Sequence, residues 1–455
     1  MTTATPIPIK IYPRLTSGRF NTVRVLLVAL TQLVFFGLPW LMWNHRQAVW
    51  LDLANHRFFV FGATFWPQDL VYLSALLMVC AFGLFLWTTL AGRLWCGYAC
   101  PQTVYTQIML WIERLVEGDR KARMKRDAGP ATFERTARRT LKHTLMIAFS
   151  LWTGFTLTGY FTPIRELLHA LPTFDFGPWE GFWILFYAAF TWILAGMLRE
   201  KVCTHMCPYA RFQGVMFDND TLIVSYDSRR GEPRGARRKD DGATARGDCI
   251  DCGICVQVCP TGIDIRQGLQ YECIGCAACI DACDQVMDKI SAPRGLIRYT
   301  TESALQGHYP ESEIKRRMMR PRVLVYSGIL LTIFAGSIAG WAMHTNIKMD
   351  VMRDRSYLTR QTDDGLLENS YILRLTNTSE TPRVYSLSAE GLPGLKLVGD
   401  QTTVKLGPTA TETIAVRLQA SPDEVPKGSH TVWVLVRAAG DAAPVLREKT
   451  RFFGD

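Results

Sequence analysis

A chain of 455 residues that is 48% hydrophobic, with 13 Trp and 23 Phe, has room for two to four domains and a composition that points toward a membrane protein, which the count alone does not prove. Its formal charge of +10 is uneven, because residues 345–455 hold fourteen basic and fourteen acidic side chains and the excess falls before them. That distribution argues for membrane topology and anionic-lipid contact and against nucleic acid as a partner, and the absence of cysteine after residue 345 excludes a disulfide scaffold there.

The chain begins with a polar tail, 1–24, carrying Lys10, Arg14, Arg19 and Arg24. No small-residue cleavage site follows the first apolar stretch, so that stretch reads as an anchor rather than a removable signal. Stretches approaching the ~20 residues that cross a bilayer core run over Val25–Trp43, Leu70–Gly92, Leu141–Phe161, Gly181–Leu198 and Val323–Met343. The loop after the second is rich in basic residues, among them Arg120, Lys121, Arg123, Lys125 and Arg126, and is read as cytoplasmic. The connections Asn44–Asp69 and Thr162–Glu180 carry few and belong outside. About five spans then put the tail and the segment between the fourth and fifth spans on the cytoplasmic side, and residues 344–455 across the membrane.

The first two hairpins of this core, 25–225, end alike. One closes on Cys96-x3-Cys100-Pro101 and the other on Cys203-x3-Cys207-Pro208. If locally helical, each pair stacks its sulfurs on one face, and the proline after it marks a helix end. Converging thiols suit Cu(I), zinc or an iron–sulfur centre, and a thiol pair can also cycle through a disulfide. His205 and Met206 lie inside the second motif, His205 as a candidate metal ligand and Met206 as packing. The plain alternative is that these cysteines only pack. After Pro101 the residues Val104, Ile108, Trp111 and Leu115 recur on one helical face up to Gly118, an amphipathic helix expected at the membrane interface. Cys80, alone within the second span, is expected to be buried, and His143 has no second histidine suitably placed for haem.

A basic linker, 226–248, leads to 249–300, where Cys249-x2-Cys252-x2-Cys255-x3-Cys259-Pro260 is followed by Cys273-x2-Cys276-x2-Cys279-x3-Cys283. This doubled spacing is that of a two-cluster ferredoxin, in which the fourth cysteine of each run ligates the other cube. The expected sets are Cys249, Cys252, Cys255 and Cys283 on one 4Fe–4S cluster and Cys273, Cys276, Cys279 and Cys259 on the other. Zinc also uses Cys-x-x-Cys pairs, but seldom three cysteines two apart plus a fourth, twice over. The chain therefore moves single electrons, supplied by a soluble donor.

A connector, 301–322, precedes the fifth span, 323–343. Beyond it the period becomes two: Tyr371, Leu373 and Leu375 alternate, as do Ile414, Val416 and Leu418, then Val432, Val434 and Val436, with turn signals such as Pro393-Gly394 between them. The remainder, 344–455, is expected to be a small β-sandwich without a catalytic set, with His430 on its surface and Trp433 as a core or half-exposed ring.

The two cysteine runs, the segment Tyr226-Asp-Ser-Arg-Arg-Gly-Glu-Pro-Arg-Gly235, both Cys-x3-Cys-Pro motifs, Gly295-Leu-Ile-Arg-Tyr299 and the late β-domain together resemble the CcoG/FixG/RdxA proteins, accessory factors of cbb-type cytochrome c oxidase. The resemblance covers nearly the whole chain. It implies a multi-pass protein of the bacterial inner membrane with a cytoplasmic dicluster ferredoxin and a periplasmic immunoglobulin-like domain. It implies a cupric reductase that supplies Cu(I) for the oxidase, with copper as substrate or bound ion at Cys96, Cys100, Cys203 and Cys207, and with copper-handling and oxidase assembly proteins as partners. Two other functions fit the residues: a quinol-oxidising electron-transfer subunit, and a copper-binding assembly scaffold whose clusters are structural.

Overall fold

A computed structural model of the chain describes residues 11–236, 246–342, 345, 347–354, 359–399, 401–438 and 446–454. The first ten residues of the tail, with Lys10, and the middle of the basic linker lie outside these. The chain divides into two compact units, residues 1–42 with 71–335, and residues 43–70 with 336–455.

In the first unit, helices α1 (Arg19–Gly37), α2 (Leu70–Ala91), α3 (Pro101–Glu117), α4 (Phe133–Thr158), α5 (Pro178–Thr191), α6 (Ala278–Lys289) and α7 (Pro321–Ala342) follow one another in the chain, α2 and α7 each continuing across the division. Four helical stretches among the described residues are long and apolar enough to cross a bilayer: Arg19–Trp40, Leu70–Ala91, Pro178–Leu198 and Pro321–Ala342. A helix of 22 residues is about 33 Å long, the thickness of the hydrocarbon core.

The expected third span corresponds to α4, which is a 26-residue helix but falls short of the apolar character of the other four. The reason is in its buried face. Lys142, Ser150, Thr153, Thr156 and Thr158 turn inward, and Ser150 and Thr158 return their hydroxyls to the carbonyls of Met146 and Gly154, at 2.8 and 3.0 Å. Mean hydropathy is thus lowered by polar groups on the buried face, of which Ser150, Thr153 and Thr158 are satisfied by carbonyls of their own helix.

Helix α3 also differs from expectation. It packs along α4 and along the π-helical turn Trp192–Leu198 that continues α5, so Met109, Met146 and Ala195 form a buried core. Of the apolar stripe expected at the membrane interface, Leu115 is 81% exposed and Val104 is buried. The buried face carries Val104, Met109 and Val116 together with Thr106, Gln107, Glu113 and Glu117. Glu113 is fully buried and compensated, with Arg123 Nη1 at 2.6 Å, Arg199 Nη1 at 3.0 Å and Lys142 Nζ at 3.6 Å.

The ferredoxin insert is closed at its base by two short antiparallel strands, Ile223–Tyr226 and Ile297–Thr300, in the register Ile223↔Thr300. Its far helix, α6, holds the start of α1: Asp281 accepts from the backbone amides of Phe20 and Asn21 at 3.2 and 2.7 Å.

The C-terminal part of the second unit has nine strands among the described residues: β1 (Ile347–Arg353), β2 (Arg360–Gln361), β3 (Leu367–Asn377), β4 (Arg383–Glu390), β5 (Lys396–Gly399), β6 (Thr403–Leu406), β7 (Thr411–Ala420), β8 (Gly428–Ala438) and β9 (Leu446–Gly454). One antiparallel sheet runs β5-β7-β3-β1, with β2 also on β3, and the other runs β6-β4-β8-β9. The alternating residues Tyr371, Leu373, Leu375, Val416, Leu418, Val432, Val434 and Val436 are its core. His430 bonds the Pro426 carbonyl at 2.6 Å, and Trp433 is half-buried under the Arg447 guanidinium.

The loop after the first span is structured as well. Val49–Asp52, Arg57–Val60 and Ala63–Phe65 form a three-stranded sheet. This sheet belongs to the same unit as the β-domain, fastened by an ion pair of Asp69 with Lys348 at 2.6 Å and another between Arg46 and Glu380.

Candidate iron–sulfur and thiol sites

The eight ferredoxin cysteines surround two cavities. One, of about 380 Å³, is lined by Cys249, Cys252, Cys255 and Cys283; the other, of about 360 Å³, by Cys259, Cys273, Cys276 and Cys279, with Cys255 on its wall too. The last cysteine of each run faces the cavity of the other run. The remaining walls are mostly apolar, with Ile250, Val286 and Leu296 on the first and Ile263, Ile265 and Ile274 on the second. Four soft thiols around a dry chamber form the donor set of a 4Fe–4S cube, so the residues fit two such clusters.

The two runs take the same local path. Gly253 (φ 64°) follows Cys252 and Ala277 (φ 59°) follows Cys276, each in the left-handed region just before a helix starts. The turn lets the next cysteine, three residues on, come back to the same chamber. Glycine adopts it freely, whereas Ala277 does so at a cost of about 1 kcal/mol. Burial pushes the Cys255 thiol up to about 11 and the Cys273 thiol up to about 12, so a bound cation is what would make them thiolates at neutral pH.

The membrane-edge motifs also share one layout. Cys96 lies in the short helix Leu94–Tyr98 and Cys203 in the π-helical turn Val202–Met206, while Cys100 and Cys207 are extended residues capping new helices. Pro101 and Pro208 each begin a helix, where a missing amide costs nothing, so the prolines mark starts as well as ends. The simple four-residue stacking of sulfurs on one face does not occur, because the second cysteine of each pair has left the helical region.

The structure brings the four thiols into one neighbourhood. Burial, then the neighbouring Cys100 and Cys207, raise the Cys96 thiol to about 11. Burial, then Cys100, Cys96 and Cys207, raise Cys203 to about 12. Cys100 is raised as well, chiefly by burial. Among the described residues no three His, Cys, Asp or Glu side chains stand close enough to share one ion, so the thiols are gathered without being closed around a point.

Cys96 and Cys203 pack in the same apolar cluster as Ile274, Cys276 and Cys279 of the ferredoxin insert. The thiols at the membrane edge and the second cluster cavity thus share a wall. His205 is exposed and hydrogen-bonds through Nδ1 with the Thr204 hydroxyl at 2.6 Å. Met206 is 58% exposed. Cys80, expected in the interior, is exposed on α2, whose buried residues are only Thr88 and Thr89.

Three neighbours escape sequence reasoning. Gln213, fully buried, accepts from the Cys96 thiol on Oε1 at 3.4 Å. Arg93 is buried, stacks on the Tyr271 ring at 4.7 Å and donates to the Ala210 carbonyl, tying both motifs to the insert. Gln102, directly after Pro101, donates to the carbonyls of Leu194 and Arg199 at 2.9 and 3.1 Å. Their common signal is a polar side chain within about three turns of a Cys-x3-Cys-Pro motif, which no spacing rule would single out.

Comparison with known proteins matches residues 198–302 to the 4Fe–4S dicluster domain family, residues 73–118 to a 4Fe–4S binding domain family, and residues 337–455 to the IG-like fold at the C-terminus of FixG. The chain is 37% identical to nitrogen fixation protein FixG of Rhizobium meliloti, over 86% of this chain and 82% of that protein. It is 37% identical to RdxA of Cereibacter sphaeroides, over 98% of this chain and 97% of that protein. With RdxB of the same organism the identity is 38%, over 94% of each chain.

Proposed function

The chain belongs to the FixG/RdxA family of membrane iron–sulfur electron-transfer proteins, and from that premise we propose that it reduces Cu(II) to Cu(I) at Cys96, Cys100, Cys203 and Cys207. The Cu(I) would serve assembly of the copper centre of a cbb-type cytochrome c oxidase. The observation that carries this reading is the packing of Cys96 and Cys203 against Cys276 and Cys279.

When bound, the two cubes supply one-electron storage and transfer. They would be held by the four thiols of each cavity described above. Cys252 is exposed, which leaves one edge of the first cavity open to a soluble donor. The membrane-edge thiols bind the substrate: Cu(II) prefers nitrogen and oxygen ligands, whereas thiolates select Cu(I), so these residues favour the reduced ion. One electron from the donor converts one Cu(II) to Cu(I). Since burial keeps Cys96, Cys100 and Cys203 protonated at neutral pH, copper uptake releases their protons.

The proposed orientation sets the tail and ferredoxin in the cytoplasm and the IG-like domain in the periplasm. Two features support it. The loop 93–140 is rich in Lys and Arg. Residues 43–70 lie one span from the tail and share a compact unit with the IG-like domain, so an odd number of crossings must separate tail and domain. The four apolar helices give an even number; counting α4 makes five.

The test is anaerobic Cu(II) reduction by purified, chemically reduced protein, followed with a chelator that colours with Cu(I). Cys100→Ser and Cys203→Ser are expected to keep the iron content and to lose most Cu(I) formation. Wild-type rates in the single serine variants of Cys96, Cys100, Cys203 and Cys207 alike would overturn the proposal.

A further inference from the structure

Two adjoining cavities lie among the tail, α1, α3 and the Pro260 loop of the insert. Their empty volumes are about 460 and 390 Å³, and they share Arg24, Gln107, Leu110 and Pro260. The first is lined by four arginines, Arg14, Arg24, Arg114 and Arg123, and by no carboxylate; the second adds Arg199, with Glu200 as the acid on its wall.

Charge bookkeeping singles out Arg24. Arg123 and Arg199 share Glu113, and Arg114 pairs with Asp119 at 3.1 Å on the outer surface. Arg24 is only 7% exposed, yet among the described residues no carboxylate pairs with it. Its Nη2 donates to Asn21 Oδ1 at 2.9 Å and its Nε has no partner. Asp281, at the same end of α1, already accepts from the amides of Phe20 and Asn21. A guanidinium withdrawn from water with its Nε unfilled and no ion pair is favoured by an acceptor from outside the protein, since Glu200, the acid on the second cavity's wall, does not pair with it among the described residues.

We propose that this cleft binds a phosphate oxyanion, with Arg24 as the central ligand and Arg14 and Arg114 completing its charge. Guanidinium forks converging from separate elements suit a tetrahedral oxyanion, which offers acceptors in several directions, better than a planar carboxylate. The cleft opens beside the first turns of a membrane span, behind a basic tail, the level at which basic pockets meet phospholipid head groups. The phosphate would therefore come either from an anionic phospholipid or from a free phosphate-bearing solute. Its place between α1 and Val258, Pro260 and Ala278 of the insert makes it a clasp of the ferredoxin to the membrane helices. The phosphate site does not rest on the copper reading, although Cys203 lines the second cavity and the cleft therefore adjoins the thiols.

The experiment uses full-length protein stripped of lipid in detergent. It is returned to nanodiscs of phosphatidylcholine alone or with phosphatidylglycerol, or kept in detergent with millimolar inorganic phosphate. Wild type is expected to gain about 3 °C or more in thermal midpoint with phosphatidylglycerol, or with inorganic phosphate if the source is a free solute. Native mass spectrometry should find the matching adduct. Arg24→Gln should abolish both, and Arg19→Gln, an exposed arginine on the same helix, should change neither. If Arg24→Gln fails to fold, the exposed Arg14→Gln decides, with an expected loss of at least half the shift. No shift and no adduct for wild type in any condition, or a full shift in Arg24→Gln or in Arg14→Gln, would overturn the proposal.

Discussion

Gly97 and Cys276 meet backbone to backbone: a β-carbon on Gly97 would stand 2.8 Å from the Cys276 α-carbon and 2.9 Å from its amide nitrogen. Neither atom can yield as a flexible side chain would. Gly97→Ala is therefore expected to push the insert off the membrane-edge motif. Iron content should stay at the wild-type level while Cu(I) formation falls on the order of ten- to a hundredfold. Gly83→Ala, with nothing within 4 Å, is the control and should behave as wild type. Equal rates for both variants would detach the shared wall from function.

The crossed cysteine sets are expected to leave a spectroscopic signature. Fully loaded protein should contain about eight irons. Cys259→Ser and Cys273→Ser come from different runs but line one cavity, so both should leave the same residual signal in low-temperature electron paramagnetic resonance. Cys249→Ser and Cys283→Ser should leave the other one. Signals that sorted by run instead of by cavity would show that the fourth ligands do not cross.

Acid should loosen the helices around Glu113. Burial alone would raise its carboxyl, but Arg199, Arg123 and Lys142 outweigh it and hold the carboxyl below the ordinary range. A depressed folded-state value means the stabilisation is complete above the unfolded value of about 4.3 and is lost as pH falls through the folded one. Thermal midpoints should drop below about pH 4.5. Glu113→Gln should remove this group's share of that acid slope and cost about 3 kcal/mol at neutral pH, because it leaves three cations without their shared carboxylate. A thermal midpoint within error of wild type at pH 7 would refute the shared-carboxylate account.

The pair of Asp69 and Lys348 ties the first extramembrane loop to β1 of the IG-like domain. Asp69→Asn and Lys348→Met should each destabilise the β-domain, and the double variant should lose less than the sum, with a coupling of about 1 kcal/mol or more. In sealed inside-out vesicles, residues 347–454 should resist added protease. Simple additivity together with ready cleavage would contradict the proposed side.

Much of this was readable in the sequence because it rests on local periodicity. The β-domain core follows from Val432, Val434 and Val436 alternating on one strand, and the apolar helices from length and composition. The cluster cavities were legible because ligand spacing in a loop is set by the cube rather than by long-range contacts. What sequence could not give was partnership. Thr153 and Lys142 lower the hydropathy of α4 yet face its neighbours, and Leu115 continues an apolar stripe yet faces outward. The buried ion cluster on α3 was not legible, since Glu113 on its own looks like a solvated residue. Gln213 reaches Cys96 across 117 residues of chain, which no window can see.

The two strands at the base of the insert, with Ile223 facing Thr300 and Tyr226 facing Ile297, bring the ends of about seventy residues side by side. The electron-carrying part is thus a cassette on a single stem. The stem closes the chain, but the insert also grips the helices away from it, through Asp281 at the start of α1 and Cys276 against Gly97. A different carrier grafted onto the same stem would therefore have to rebuild both contacts to sit on this membrane frame.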